Sequence, residues 1–172
     1  MSSSRDWSRF RLPAVLLGLG LFAAGCMPVY NTTAAGGSVP ARLAAIAIDP
    51  PAGAIEQEVR NNLIFAFTGG GNPAPPIYTL HLSTASSETL LGVTPIDTAP
   101  SYSVNVSVSY ELTEIATGRI VTRGVARGVA SYDRSNQIFA NTRARTDAQL
   151  RAAGVAADDI RIRIAAALAT DA

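Results

Sequence analysis

Lysine is absent from this chain: all 14 basic residues are arginines. That excludes Schiff-base chemistry and a P-loop, both of which need a lysine amine. A single cysteine excludes an intramolecular disulfide framework and a zinc site made mainly of cysteines. A single histidine, His81, excludes a multi-histidine metal centre. Charge is sparse: 16% of residues are charged and the formal net charge is +1. A strongly basic nucleic-acid binder and a highly charged disordered chain are both excluded on that ground. What the chain does have is apolar residues, 48% of 172, which is one domain's length with enough material for a core.

The first stretch does not read as part of that core. Arg5, Arg9 and Arg11 face a single acid, Asp6, and residues 12–24 are uncharged and rich in Leu, Val, Ala and Gly. About 20 apolar residues are needed to span a bilayer, so this shorter run behind a basic head reads as an export signal. It ends Leu21-Phe22-Ala23-Ala24-Gly25-Cys26. Small residues before a cysteine resemble a bacterial lipobox, with Ala23 where leucine is usual. That resemblance implies cleavage before Cys26, a diacylglycerol on its thiol and an acyl group on the new amino terminus. Several acyl chains together anchor firmly, at about 0.8 kcal/mol per buried CH₂. Met27, in place of aspartate, implies the outer membrane under the sorting rule of enteric bacteria. The expected organisation is a signal peptide at 1–25, a lipidated tether at 26–41 and one domain at 42–172. Removing 1–25 takes away three arginines and one acid, so 14 basic against 13 acidic residues becomes 11 against 12.

Within the domain a first strand is expected at 42–48, stopped by Asp49-Pro50-Pro51, since proline cannot donate to a ladder. A helix is expected at 54–67, where Ile55, Val59, Leu63 and Phe67 form one stripe and Gly69-Gly70-Gly71 ends it. The glycine run is not a phosphate cradle, because no Gly-Lys-Ser/Thr follows. Residues 77–83 alternate as a half-buried strand that resumes near Leu90. His81 lies on its polar face and reads as solvated or hydrogen-bonded. Residues 102–112 alternate most clearly, with Tyr102, Val104, Val106, Val108, Tyr110 and Leu112 on one side. A turn at 116–118 leads into a return strand at 119–132.

The return strand allows two readings. One face carries Gly124, Ala126, Gly128 and Ala130, and the other alternates Val121, Val125 and Val129 with Arg123 and Arg127. Burying the valines would bury two arginines as well, which is costly unless they are paired. The preferred assignment turns the small residues toward a close-packed helix and the valine–arginine face outward. From 135 to 169 a four-residue spacing of Ala148, Ala152, Ala156, Ile160, Ile164 and Leu168 predicts helix, with a possible break at Gly154. The order β-α-β-β-β-α predicts an α+β two-layer sandwich: a mostly antiparallel four-stranded sheet with two helices on one face.

Three segments carry a resemblance to a known family. The first is Ser131-Tyr132-Asp133-Arg134-Ser135-Asn136-Gln137-Ile138-Phe139-Ala140, running into Arg143-Ala144-Arg145-Thr146-Asp147-Ala148. The second is Tyr110-Glu111-Leu112 followed by Thr117-Gly118-Arg119. The third is Ala157-Asp158-Asp159-Ile160-Arg161-Ile162-Arg163-Ile164. In addition, Gly25-Cys26-Met27-Pro28-Val29-Tyr30 resembles a longer Gly-Cys-x-x-x-Pro-Leu-Tyr opening, with two residues fewer before the proline. Together these resemble the LptE family of lipopolysaccharide-assembly lipoproteins across essentially the whole mature chain. The resemblance implies a plug inside the outer-membrane β-barrel LptD that assists its assembly and helps insert lipopolysaccharide into the outer leaflet. It implies an outer-membrane protein, lipid-anchored on the periplasmic side, with no enzymatic turnover, no cofactor beyond the lipid on Cys26 and no nucleic-acid partner.

The residues point to one candidate contact with an anionic glycolipid. Arg119, Arg123 and Arg127, interleaved with Val121, Val125 and Val129, offer guanidinium forks for phosphates and apolar surface for acyl chains. Ordinary solvated arginines are the plainer reading of the same pattern. A lipoprotein on the periplasmic side that binds another envelope ligand without a barrel partner is the rival function. The acid pairs Asp158/Asp159 and Glu111/Glu114 form no set suited to acid–base catalysis, since helix neighbours point apart and the second pair lies near a turn.

Overall fold

The structure, a computed structural model, describes residues 33–34, 37–91 and 100–171. The expected signal peptide, Cys26 and the first part of the tether lie outside the described residues. A two-residue hairpin comes first, β1 (Thr33–Ala34) with β2 (Gly37–Ser38). It leads into α1 (Val39–Ala44), β3 (Ile46–Ile48), α2 (Ala54–Thr68), β4 (Tyr78–Leu91), β5 (Ser101–Glu114), β6 (Ile120–Asp133) and α3 (Ile138–Thr170). The sheet order is β3-β4-β5-β6, with β3 parallel to β4 and the other two pairs antiparallel. The architecture is therefore the expected α+β sandwich, extended by the short α1 and the small hairpin.

The expected strand at 42–48 is split. Residues 39–44 are helical, and only Ile46–Ile48 pair with β4. Pro40 suits the first turn of a helix, where a missing N–H costs nothing. Val39, Arg42 and Leu43 then fall on one helical face and are buried. Helix α2 follows its stripe: Val59, Leu63 and Phe67 are buried, and Gly69 closes the helix in the left-handed region at φ 61°. The buried Glu56, in the first turn, accepts a hydrogen bond from the Ala52 N–H at 3.1 Å and so ties the preceding loop to the helix.

Strand β4 does not stop at Ser83. It continues to Leu91, paired residue for residue with β5. Between Leu82 and Leu90 its helix-side positions are Thr84, Ser86 and Glu88, so the hydrophobic alternation fades there while the backbone ladder persists. Strands β5 and β6 have 14 residues each, roughly 46 Å at about 3.4 Å per residue.

The return strand takes the preferred orientation. Ala126, Gly128, Ala130 and Tyr132 are buried, while Arg123, Val125, Arg127 and Val129 are exposed. The cause is the approach of α3. A Cβ on Gly128 would lie 1.8 Å from the Ala152 carbonyl oxygen and 3.0 Å from the Ala156 nitrogen. Ala148, Ala152, Ala156, Ile160, Ile164 and Leu168 are all buried against the sheet and α2. Gly154 does not break α3, which is continuous over 33 residues. A glycine costs about 1 kcal/mol relative to alanine inside a helix, too little to interrupt one held by packing along its length.

Candidate functional site: the open face of the sheet

All helices pack on one side of the sheet, so the odd-numbered residues of β4, β5 and, from Arg123 onward, β6 form its open face; Val121, expected on that face, is half-buried against the core because the register shifts beside it. The register lays them out in cross-strand rows. His81, Glu111 and Arg123 form one row, Ser83, Ser109 and Val125 the next, and Ala85, Ser107 and Arg127 the third. Ser87, Asn105 and Val129 follow. The face is thus small and hydroxyl-bearing along β4 and β5, and carries the arginine–valine alternation only along β6.

The three candidate arginines do not share one environment. Arg123 and Arg127 stand on the open face, and neither has an acid within ion-pair distance among the described residues. Four residue steps along the strand set them about 13 Å apart. Val125 is 41% exposed and Val129 56%, so apolar surface lies between and beyond the guanidinium groups. Arg119 lies instead in the β5–β6 turn, before a register shift at Leu112/Thr113. Its guanidinium donates to both Asp171 carboxylate oxygens at 2.8 and 2.7 Å and lies 3.5 Å from Glu114. Hydrogen bonding to Asp171 and that residue's charge raise the Arg119 pKa above its ordinary value. The same bond, with the charges of Arg119 and Arg42, lowers the Asp171 pKa against the opposing effect of burial.

Asp171 also reaches Arg42, at 3.6 Å. Arg42 is 7% exposed; it donates to the Tyr78 hydroxyl at 3.1 and 2.7 Å and to the Leu168 carbonyl at 2.5 Å. This clasp joins α1, the last turn of α3 and the β5–β6 turn. Nothing in the local sequence announces it, because Arg42 and Leu168 are 126 residues apart.

The opposite end of the sheet is built by the first family-like segment. Tyr132 stacks on Tyr102 with ring centroids 5.7 Å apart, and its hydroxyl donates to Glu88. Burial, then the bond to Glu88, raises the Tyr132 pKa. Glu88 is also held by Arg145 at 2.9 Å, and the Arg134 guanidinium lies 5.2 Å from the centre of the Tyr102 ring. Asn141 accepts from the Ser135 N–H at 2.8 Å and donates to the Ser135 carbonyl at 2.7 Å, fixing the entry to α3. In the second segment, Thr117 donates to Glu114 at 2.6 Å and Gly118 adopts φ 69°, which closes the hairpin. In the third, Ile160 and Ile164 are fully buried, and Arg163 pairs with Asp159 at 2.8 Å.

His81 Nδ1 lies 3.0 Å from Asp49 Oδ2, a hydrogen-bonded histidine as its strand position implied. No group of three or more metal-ligating side chains occurs among the described residues, and no described helix is long and apolar enough to cross a membrane.

A sheet covered by helices on one side, with the other side hydroxylated and edged by arginine and valine, is a two-layer α+β sandwich with one open face. The chain belongs to the LptE family of lipopolysaccharide-assembly proteins, whose family model matches residues 42–164. Among solved structures it is similar to a lipoprotein of Caulobacter crescentus CB15, at 26% identity and a TM-score of 0.63. That match covers 76% of this chain and 96% of that one. It also shares the fold of a minor lipoprotein of Acinetobacter baumannii, at 13% identity and a TM-score of 0.51, over 70% of this chain and 88% of that one. No curated protein matches the chain by sequence.

Proposed function

We propose that the mature chain is an outer-membrane lipoprotein of lipopolysaccharide export. It is anchored through diacylglycerol and an N-acyl group on Cys26, on the periplasmic side. It occupies the lumen of the LptD β-barrel, assists assembly of that barrel and helps insert lipopolysaccharide into the outer leaflet. It acts by binding and carries out no turnover.

The observation that carries this reading is the chemical asymmetry of the sheet. One side is sealed by three helices, and the other is a long, hydroxyl-lined face with arginines along one strand. Such a face suits a hydrated barrel lumen. Arg123 and Arg127, with Val125 and Val129, suit a glycolipid whose polar and anionic oxygens and acyl chains they meet along one strand. Arg119 belongs to the same proposal with a smaller share, since its fork is already engaged by Asp171.

Extraction of the tagged full-length protein in mild detergent tests the proposal. A large β-barrel protein and lipopolysaccharide are expected in the eluate, and mass spectrometry is expected to show a triacylated Cys26. An eluate without a barrel favours the rival reading of a periplasmic-side lipoprotein for another envelope ligand. An unmodified Cys26 refutes the anchor.

A further inference from the structure

The open face is not uniformly flat. Near the hairpin end, two adjacent cross-strand rows make a depression of about 540 Å³. His81, Glu111 and Arg123 form one side, and Ser83, Ser109 and Val125 the other. Residues directly across an antiparallel pair have Cβ atoms about 5 Å apart, so the six side chains occupy an area the size of one or two sugar rings. The floor is low because Ser83 and Ser109 are small. The first row extends beyond His81 to Asp49, whose N–H donates to the Leu80 carbonyl at 3.1 Å.

The charges in this row select the ligand. Asp49 and Glu111 are two carboxylates, Arg123 is the one guanidinium, and His81 supplies an imidazole bonded to Asp49. A bare phosphate would meet more negative than positive charge. A sugar ring would not: neighbouring hydroxyls donate to a carboxylate, while Arg123 and the serine hydroxyls donate to sugar oxygens. Val125 offers apolar surface to the C–H face of a ring.

We propose that this depression is a saccharide subsite, which takes a pyranose ring through adjacent hydroxyls and excludes phosphate. The inference rests on the glycolipid reading above and divides its labour along β6. Sugars sit at the Glu111 and Arg123 row, and phosphates sit further along at Arg127.

The test is a titration of the mature protein with oligosaccharide released from lipopolysaccharide by mild acid, followed by backbone amide shifts. Parallel titrations use a neutral glucan and inorganic phosphate. Saturable shifts confined to Ser83, Ser109, Glu111 and their neighbours are expected with the lipopolysaccharide oligosaccharide. Ser109→Trp, which fills the floor, should abolish them. Glu111→Gln should weaken them about tenfold, the loss of one charge-assisted hydrogen bond. Equal response to the glucan keeps the subsite and makes its ligand a general glycan. Displacement by phosphate, or unchanged binding in Ser109→Trp, overturns the proposal. If wild-type protein captures both barrel and lipopolysaccharide, and Ser109→Trp changes no saccharide shift, the subsite falls while the export reading stands. If saccharide binds as described but no barrel is captured, the reverse holds.

Discussion

Substituting Gly128 by alanine is the sharpest test of how the two layers are held together. The added methyl would lie 1.8 Å from the Ala152 carbonyl oxygen, 2.8 Å from its carbon and 3.0 Å from the Ala156 nitrogen. Ordinary carbon–oxygen contacts begin at about 3.3 Å, so the backbone of α3 or of β6 would have to move by roughly 1.5 Å. These are main-chain atoms in the middle of a long helix, not the free end of a side chain. Overpacking that side chains can absorb costs about 1–3 kcal/mol, and a backbone obstruction belongs at or above the top of that range. Against a total stability of about 5–15 kcal/mol, the expected loss is about 3 kcal/mol, a fall in Tm of roughly 10 °C. Thermal and urea unfolding of the soluble mature domain, followed by circular dichroism, measure it. Gly154→Ala is the matched control. No atom lies within 4 Å of its added carbon, so helix propensity alone should stabilise the protein by about 0.5–1 kcal/mol. A Gly128→Ala protein within 0.5 kcal/mol of wild type would refute the close packing of α3 on β6.

Replacing Arg42 by methionine strands the Leu168 carbonyl and the Tyr78 hydroxyl. It should cost about 1–3 kcal/mol in urea unfolding and raise amide exchange in α1 and the last turn of α3. The Asp171 carboxyl is held below its ordinary value of 3.8 by the Arg119 bond, so its contribution to stability is present above that value. It is lost as pH falls through the lower folded value. Acid titration of Asp171→Asn should therefore show a smaller loss of stability below about pH 4 than wild type does. The double variant Arg123→Gln/Arg127→Gln should leave unfolding within about 0.5 kcal/mol of wild type while reducing lipopolysaccharide retention in a detergent pull-down. Undiminished retention would remove the arginine row from the binding surface.

The parts of this fold that could be read from sequence are those whose burial is set within one element. The α2 stripe and the β5 alternation each declare their buried side every second or fourth residue. The orientation of β6 was legible for a different reason: burying Arg123 and Arg127 would have been costly, and that decided between two otherwise equal faces. The first strand was misread because Val39, Arg42 and Leu43 bury a helical face too short to show a period. The strand was expected at 77–83 and again near Leu90, and its unbroken middle was missed because pairing there is carried by backbone bonds to β5 while Thr84, Ser86 and Glu88 carry no apolar signal. At the candidate site, the exposure of Arg123 and Arg127 followed from strand parity. The engagement of Arg119 by Asp171, 52 residues away, did not, and neither did the meeting of His81 with Asp49. Contacts of that kind depend on register and helix length, which no local pattern encodes.

The Arg42 clasp has a topological consequence. Because α1 and the last turn of α3 are fastened to each other, the first and last of the described helices meet at one end of the sheet. A short linker could join them, and the chain could be reopened elsewhere with the strand order unchanged. A circular permutant of this kind would separate the fold from the direction of its synthesis. The same geometry governs where reporters can be attached. A fluorophore or fusion placed directly after the last turn of α3 crowds the clasp. One placed where the sheet ends farthest from Arg42 leaves it undisturbed.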